Sequence, residues 1–269
     1  VIILHPDNNM PRRTRRTYEM HSKHKSYNDN IKLAKENVSE IINSKYNPVI
    51  EYSGGKDSLV LLHMVMQQDN TIPIFNFHPG YGKYCKQQYR TQKTHNELMR
   101  SAEIAGAMDL TVVNTPFWNG EKYLIGDYFP MLFDFMKKKD CDLELLGIRG
   151  SESITRKHRV KGPLIRIEGQ RRVAFPIRHL TVDDIWSYII TNDLYYISHY
   201  DEYAKIYGYE NARFTSLFNE NNLDVGGSYF FDKIILSDEA NEQSYVGEKW
   251  WTRIDKLKGG DTMDSKGKD

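Results

Sequence analysis

From Asn28 the apolar residues Ile31, Leu33, Ala34, Val38, Ile41 and Ile42 recur at the spacing of one helix face, with charges between them. This predicts an amphipathic helix leading into a core. Pro48-Val49-Ile50-Glu51-Tyr52 is a short β-prone run. A glycine pair, Gly54-Gly55, then separates it from Leu59, Val60, Leu61, Leu62, Met64 and Val65, which have the length and apolar content of a helix. The order is strand, glycine loop, helix. Residues 72–77 predict a second strand, 86–107 a second helix, 110–113 a third strand, 131–138 a further helix and 143–148 a fourth strand. Strands alternating with helices predict an α/β fold, a parallel twisted sheet with helices on both faces.

Beyond Arg149 the pattern changes. Residues 166–173 read as a hairpin or extended ribbon turning near Gly169. Thr181, followed by Asp183 and Asp184, is a helix start with an N-cap and acids in the first turn, so a helix through Trp186, Ile189 and Ile190 follows. Residues 194–218 are rich in aromatics and read as partly helical, packing on or beside the sheet. Four regions result: a basic arm over 1–27, one α/β domain over 28–190, a helical, aromatic-rich C-terminal extension over 191–255 and a tail over 256–269 whose glycines and alternating charges read as disordered. The arm carries Arg12, Arg13, Arg15, Arg16, Lys23 and Lys25. It reads first as a mobile or partner-docked terminus, with contact to nucleic-acid phosphates as the alternative.

A chain of 269 residues buries a sizeable core without staples. With 37 basic side chains against 36 acidic ones, it has no overall field to draw nucleic acid or a membrane surface, so any such attraction is local. Apolar runs fall short of the roughly 20 residues of a membrane span, and no apolar leader opens the sequence. These features point to a cytoplasmic protein with no membrane partner. The two cysteines, Cys85 and Cys141, read as free thiols. A cysteine-held iron–sulfur cluster needs four thiolates, so none is expected.

The chemistry centres on Ser53-Gly54-Gly55-Lys56-Asp57-Ser58. A helix N-terminus presents unpaired N–H groups and partial positive charge, so a glycine loop between a strand and that terminus suits phosphate. Gly54 and Gly55 let the backbone come close, Lys56 adds a full charge, and Ser53 and Ser58 add hydroxyl donors. The spacing excludes a Walker loop, which needs four residues between its glycine and Gly-Lys. His78 ends the second predicted strand and is a weaker candidate beside the same ligand; Trp118, Tyr123 and Trp186 read as core rather than base-stacking residues.

The hexapeptide resembles the pyrophosphate loop of the ATP pyrophosphatase superfamily, Ser-Gly-Gly-x-Asp-Ser after a hydrophobic strand. Its Gly-Gly-Lys-Asp-Ser form is similar to the branch containing phosphoadenylylsulfate (PAPS) reductases, sulfate adenylyltransferase small subunits and the sulfur-handling enzymes of DNA phosphorothioation. The stretch from Gly147 through Arg149, Glu152 and Ser153 to Arg156 resembles that branch's Gly-x-Arg-x-x-Glu-Ser-x-x-Arg. The segment from Pro176 to Trp186 is similar to its Pro-Ile-x-x-Trp-Thr-x-x-Asp-Val-Trp, with Leu180 in place of the first tryptophan. The resemblance covers roughly residues 28–196.

It implies a Rossmann-like, adenine nucleotide alpha hydrolase-like fold that takes ATP with Mg²⁺. Cleavage between the α and β phosphates would adenylate an acceptor and release pyrophosphate. On this reading Ser53, Gly54, Gly55 and Ser58 hold pyrophosphate and Lys56 offsets its charge. Asp57 orients the loop or meets Mg²⁺ through water, and Arg149 and Arg156 bind the acceptor or the α-phosphate. Glu152 steadies the arginines, Gly147 and His78 border the nucleotide, and Lys157 and Arg159 are further anion contacts. The family's reductases carry a cysteine in Glu-Cys-Gly-x-His near the C-terminus, whereas nothing after Cys141 is cysteine. Thiol-dependent sulfonucleotide reduction is therefore not expected. A nucleotide-binding subunit working with a protein partner, or a component of nucleic-acid modification, stands as the alternative. The acceptor stays open among sulfate, a nucleobase, a carboxylate and a tRNA.

Overall fold

The computed structural model describes residues 8–78, 92–114, 124–212 and 214. Trp118, Tyr123, Cys85, the start of the helix expected over 86–107, the far part of the extension and the tail over 256–269 lie outside the described residues. In chain order the elements are α1 (Arg12–His21), α2 (Lys25–Ile42), β1 (Pro48–Glu51), α3 (Lys56–Met66), β2 (Ile74–His78), α4 (Gln92–Ile104), β3 (Leu110–Asn114) and α5 (Leu124–Lys138). Then come β4 (Leu143–Leu146), α6 (Ile154–Arg159), β5 (Ile165–Glu168), β6 (Arg171–Ala174), α7 (Val182–Thr191) and α8 (His199–Tyr207).

Alternation along the strands decides which helices cover which face. Ile50, Ile74, Leu143, Leu145 and Ala174 point into one core with α2, α3, α4 and α7, while Val49, Phe75 and Phe77 meet Leu132, Phe135 and Met136 of α5 on the other side. Because both faces are covered, the central strands β1, β2 and β4 are largely apolar on both sides. Among the described residues the sheet has six strands in the order β3-β2-β1-β4-β6-β5. β1 runs parallel to both β2 and β4, with Ile50 opposite Ile74 and Leu145. The ribbon expected over 166–173 is the β5–β6 hairpin, whose turn contains Gly169 at φ 59°. Its second strand joins β4 in parallel, Glu144 opposite Val173, so among the described strands only β5 at the edge is antiparallel.

A buried ion pair joins two neighbouring strands of the sheet. Glu144 is 1% exposed and accepts from Arg171 Nε at 3.0 and 2.8 Å. The same guanidinium reaches Glu51 at 3.4 Å and lies 4.6 Å from the Phe129 ring centroid.

Where the sequence predicts a basic arm over 1–27, residues 12–21 form a helix docked on α7. Tyr18 is buried with its ring 6.3 Å from that of Trp186, and Ser187 Oγ donates to the Tyr18 carbonyl at 2.9 Å. His21 Nε2 sits 2.8 Å from Asp184 Oδ1. The docking rests on one aromatic anchor and polar contacts, which leave no apolar repeat for periodicity to detect. Asp184 also closes the expected capping box, accepting from Thr181 N at 2.8 Å while Thr181 Oγ1 accepts from Asp184 N at 3.1 Å. Burial alone would raise the Asp184 carboxyl, but the Thr181 amide, His21 and Asn30 together hold it below the usual carboxylate range.

Trp186 belongs to the core. Tyr196, Tyr200 and Tyr209 meet it edge-on at 5.1, 5.3 and 5.2 Å, and its Nε1 donates to the Tyr209 carbonyl at 2.8 Å. These rings seat α8, a helix within the region where the sequence predicts an aromatic-rich extension, against the sheet's helical layer. No helix among the described residues is long and apolar enough to cross a membrane.

Candidate functional site

The switch in strand order falls between β1 and β4, with β2 and β3 on one side and β6 and β5 on the other. In an open α/β sheet the crevice at such a point, outside the carboxyl ends of the strands, is where ligands bind. The loop 53–58 leaves β1 there, and residues 147–152 leave β4 beside it.

Gly54 has φ +83°, a conformation that glycine adopts freely, and a Cβ at this position would stand 2.6 Å from Leu98 Cδ1. Gly55 is the N-cap of α3. The two serines organise the turn. Ser58 Oγ donates to the Gly55 carbonyl at 2.9 Å and lies 3.0 Å from Ser53 Oγ, which accepts from Gly55 N at 3.3 Å. At the start of α3 the amides of Asp57 and Ser58 have no intrahelical acceptor, and the helix dipole adds partial positive charge.

Lys56 is 3% exposed. Its ammonium donates to the Ala212 carbonyl at 3.0 Å, lies 3.6 Å from Asp57 Oδ2 and stands 5.5 Å from the Tyr200 ring centroid, while its amide donates to Tyr200 Oη at 2.8 Å. The loop and the segment after α7 are thus tied together through one residue.

Gly147 explains how β4 comes so close. A Cβ there would lie 2.8 Å from both the amide nitrogen and the Cα of Ser58, so any side chain would drive the two strand exits apart. That approach lets Arg149 Nε donate to Asp57 Oδ1 at 2.6 Å. Arg149 also donates through Nη1 to Ser151 Oγ at 2.8 Å, and Ser151 Oγ donates to the Leu180 carbonyl at 2.9 Å. Glu152, in a single 3₁₀ turn over Gly150–Glu152, accepts from Arg149 N at 3.3 Å and pairs with Arg156 of α6. Asp57, Arg149, Glu152 and Arg156 therefore form one chain of alternating charge. Burial by itself would raise the Asp57 carboxyl, but Arg149, Lys56 and Arg156 outweigh it and hold the group below the usual range. Burial opposes charge on Arg149 as well, and Asp57 and Glu152 reverse that effect.

The predicted residues Ser53, Gly54, Gly55, Lys56, Asp57, Ser58, Gly147, Arg149, Glu152 and Arg156 converge on this crevice. Arg159 does not join them: it pairs with Glu168 of β5 at 2.9 Å, and Lys157 is exposed. His78 closes β2 through its backbone, opposite Asn114, and its side chain lies outside the described residues. The short helices over 150–159 carry no apolar repeat and were not expected. Tyr200 and Ala212 were also missed, because their partner Lys56 lies 144 and 156 residues away and the only signal was a stretch dense in aromatics. Among the described residues no group of three or more His, Cys, Asp or Glu could hold a metal. Cys141, with a thiol that burial and then Asp140 and Asp142 push up to about 11, is the free cysteine among them.

The chain is similar to several solved structures. FMN adenylyltransferase of Candida glabrata, in complex with FAD and inorganic pyrophosphate, is 13% identical, with a TM-score of 0.48 over 70% of this chain and 65% of that one. The chain thus spans about 65% of that enzyme's length. PAPS reductase from Candida auris in its phosphate complex is 13% identical, with a TM-score of 0.45 over 72% of this chain and 93% of that one. NMN synthetase from Francisella tularensis is 12% identical, with a TM-score of 0.43 over 94% and 99%. None of the curated proteins matches the sequence. The family model of the phosphoadenosine phosphosulfate reductase domain matches residues 47–217, from the start of β1 past the contact that Ala212 makes with Lys56. With more than half of its length covered, and with both strand exits and their arginines inside the match, the chain belongs to the phosphoadenosine phosphosulfate reductase domain family.

Proposed function

We propose that this protein binds ATP through the loop 53–58 and transfers its adenylyl group to an acceptor. An acceptor atom attacks the α-phosphorus, the bond to the β-phosphate oxygen breaks, and pyrophosphate leaves. The observation that carries this reading is the joining of two phosphate-binding devices at the switch point: the glycine loop at the start of α3 and Arg149, held 2.6 Å from Asp57. Catalysis of this step is chiefly positioning and charge neutralisation. Ser53, Gly54, Gly55 and Ser58 shape the seat of the departing pyrophosphate, with the Asp57 and Ser58 amides at the helix start as its donors. Arg149 and Arg156 take the α-phosphate or the acceptor, with Glu152 fixing both. Lys56 offsets the charge of the phosphates while one of its three N–H donors is held by the Ala212 carbonyl. The donor set suits Mg²⁺ only as a companion of the nucleotide, with phosphate oxygens as its main ligands and Asp57 the one nearby loop carboxylate, through water. So held, Mg²⁺ would neutralise charge on the leaving group.

Incubation with ATP, Mg²⁺ and a panel of sulfate, nucleobase, carboxylate and tRNA acceptors is expected to release pyrophosphate. Release of orthophosphate instead contradicts the proposal. Nucleotide binding without turnover under any acceptor makes the chain a binding subunit for a partner protein.

A second reading, contact with a nucleic acid, has one observation in its favour. Arg12, Arg13, Arg16, Lys23 and Lys25 are exposed, and none pairs with a carboxylate among the described residues, whereas Arg15 pairs with Glu19. Arginines in the first turns of α1 oppose its dipole, so they do not serve the helix itself. If they grip phosphates, replacing Arg12, Arg13 and Arg16 with Gln lowers the slope of log affinity against log salt by up to about 3. No binding of DNA or RNA by the intact chain at low salt ends this reading.

A further inference from the structure

Beside the loop stands a hydroxyl with an unspent proton. Tyr200, the second residue of α8, is 2% exposed, and its ring is fixed edge-on to Trp186 at 5.3 Å and Tyr196 at 6.2 Å. Its oxygen accepts from Lys56 N at 2.8 Å and would lie 3.6 Å from a Cβ on Gly55. A phenol that accepts one hydrogen bond still has its own proton to donate. Among the described residues no acceptor takes that proton. Burial first, and then the facing charge of Asp57, push the phenol above its ordinary value, so the proton stays in place at neutral pH. Folded proteins leave few buried donors unmatched, and each exception calls for a reason. Here an anionic oxygen seated in the loop would be the missing acceptor.

We propose that Tyr200 is a phosphate-contacting residue, its hydroxyl relaying from the Lys56 amide to a phosphate oxygen of the ligand in the loop, so that α8 forms part of the site. This rests on the reading that the loop takes polyphosphate. It adds a contact from outside the loop motif, on a helix 144 residues further along the chain.

The test is calorimetry on the full chain with inorganic pyrophosphate and with ATP. Tyr200→Phe keeps the ring and is expected to weaken both by roughly 10- to 100-fold, the range for a hydrogen bond to a charged group. Tyr196→Phe is the control. Tyr196 lies in the same aromatic cluster but donates to Asp201 at 2.7 Å, so its loss is expected to lower the melting temperature and leave affinity unchanged. Equal weakening by both variants would mean that the cluster acts only structurally and would overturn the proposal. Unchanged affinity in Tyr200→Phe overturns it while leaving the loop reading intact. Failure of the wild-type chain to bind either ligand removes the loop reading and this inference with it. If Tyr200→Phe does not fold, 3-fluorotyrosine placed at position 200 strengthens the donor and is expected to tighten pyrophosphate binding; affinity that stays the same or falls refutes the contact.

Discussion

Replacing Arg149 with Met is expected to cut pyrophosphate release at saturating ATP by about two to three orders of magnitude, the usual cost of removing a preorganised charge at a developing oxyanion. The substitution keeps the aliphatic stem and leaves Asp57 and Glu152 with one fewer cation between them. Arg156, more exposed than Arg149 and attached through Glu152, is expected to cost about tenfold when changed in the same way. A rate within about threefold of wild type for Arg149→Met refutes its role.

The same variant has a signature in acid. The depressed Asp57 carboxyl contributes stability that is present above its unfolded value, about 3.9, and lost only as pH falls through the lower folded value. Without Arg149, burial pulls the group upward and one of its strongest counterweights is gone. Melting temperatures followed from neutral into acidic pH are therefore expected to begin falling at a higher pH in Arg149→Met than in wild type. Coincident profiles would mean that Arg149 does not hold the carboxylate in solution.

The largest expected loss of stability lies away from the crevice. Arg171→Met removes the guanidinium that Glu144 and Glu51 share, leaving a carboxylate that is 1% exposed without its main partner. Breaking a buried pair from one side costs about 3–5 kcal/mol, because the remaining charge is stranded in low dielectric. Urea unfolding is the measurement. Combining Arg171→Met with Glu144→Leu is expected to recover most of the loss, since two apolar residues in place of an ion pair are often neutral. A double variant as unstable as the single one would show that packing against the Phe129 ring, and not the charge, sets the cost.

The parts of this protein legible in its sequence are those fixed locally. The strand, glycine loop and helix at 48–66 follow from an apolar run, a glycine pair and another apolar run, and the cap of α7 follows from Thr181 and its acids. The arginine patch was recognisable because Gly147, Arg149, Glu152 and Arg156 keep a fixed spacing. What spacing cannot convey is which distant residue fills a gap. Nothing local tells that β6 lies beside β4, that Tyr18 reaches Trp186, or that Tyr200 and the Ala212 carbonyl both fall on Lys56. These depend on how the layers stack, and polar or single-anchor contacts leave no periodic trace.

The double attachment of Lys56 makes two processes one equilibrium. A ligand whose contacts displace the ammonium would shift its bond to residue 212 too, whereas a ligand held by the amides alone would leave that bond untouched. By thermodynamic reciprocity, anything that shifts residue 212 relative to the loop would then change the binding of such a ligand as well. The surroundings of Lys56 are thus set in part by sequence 144 and 156 residues beyond it, far outside the glycine motif.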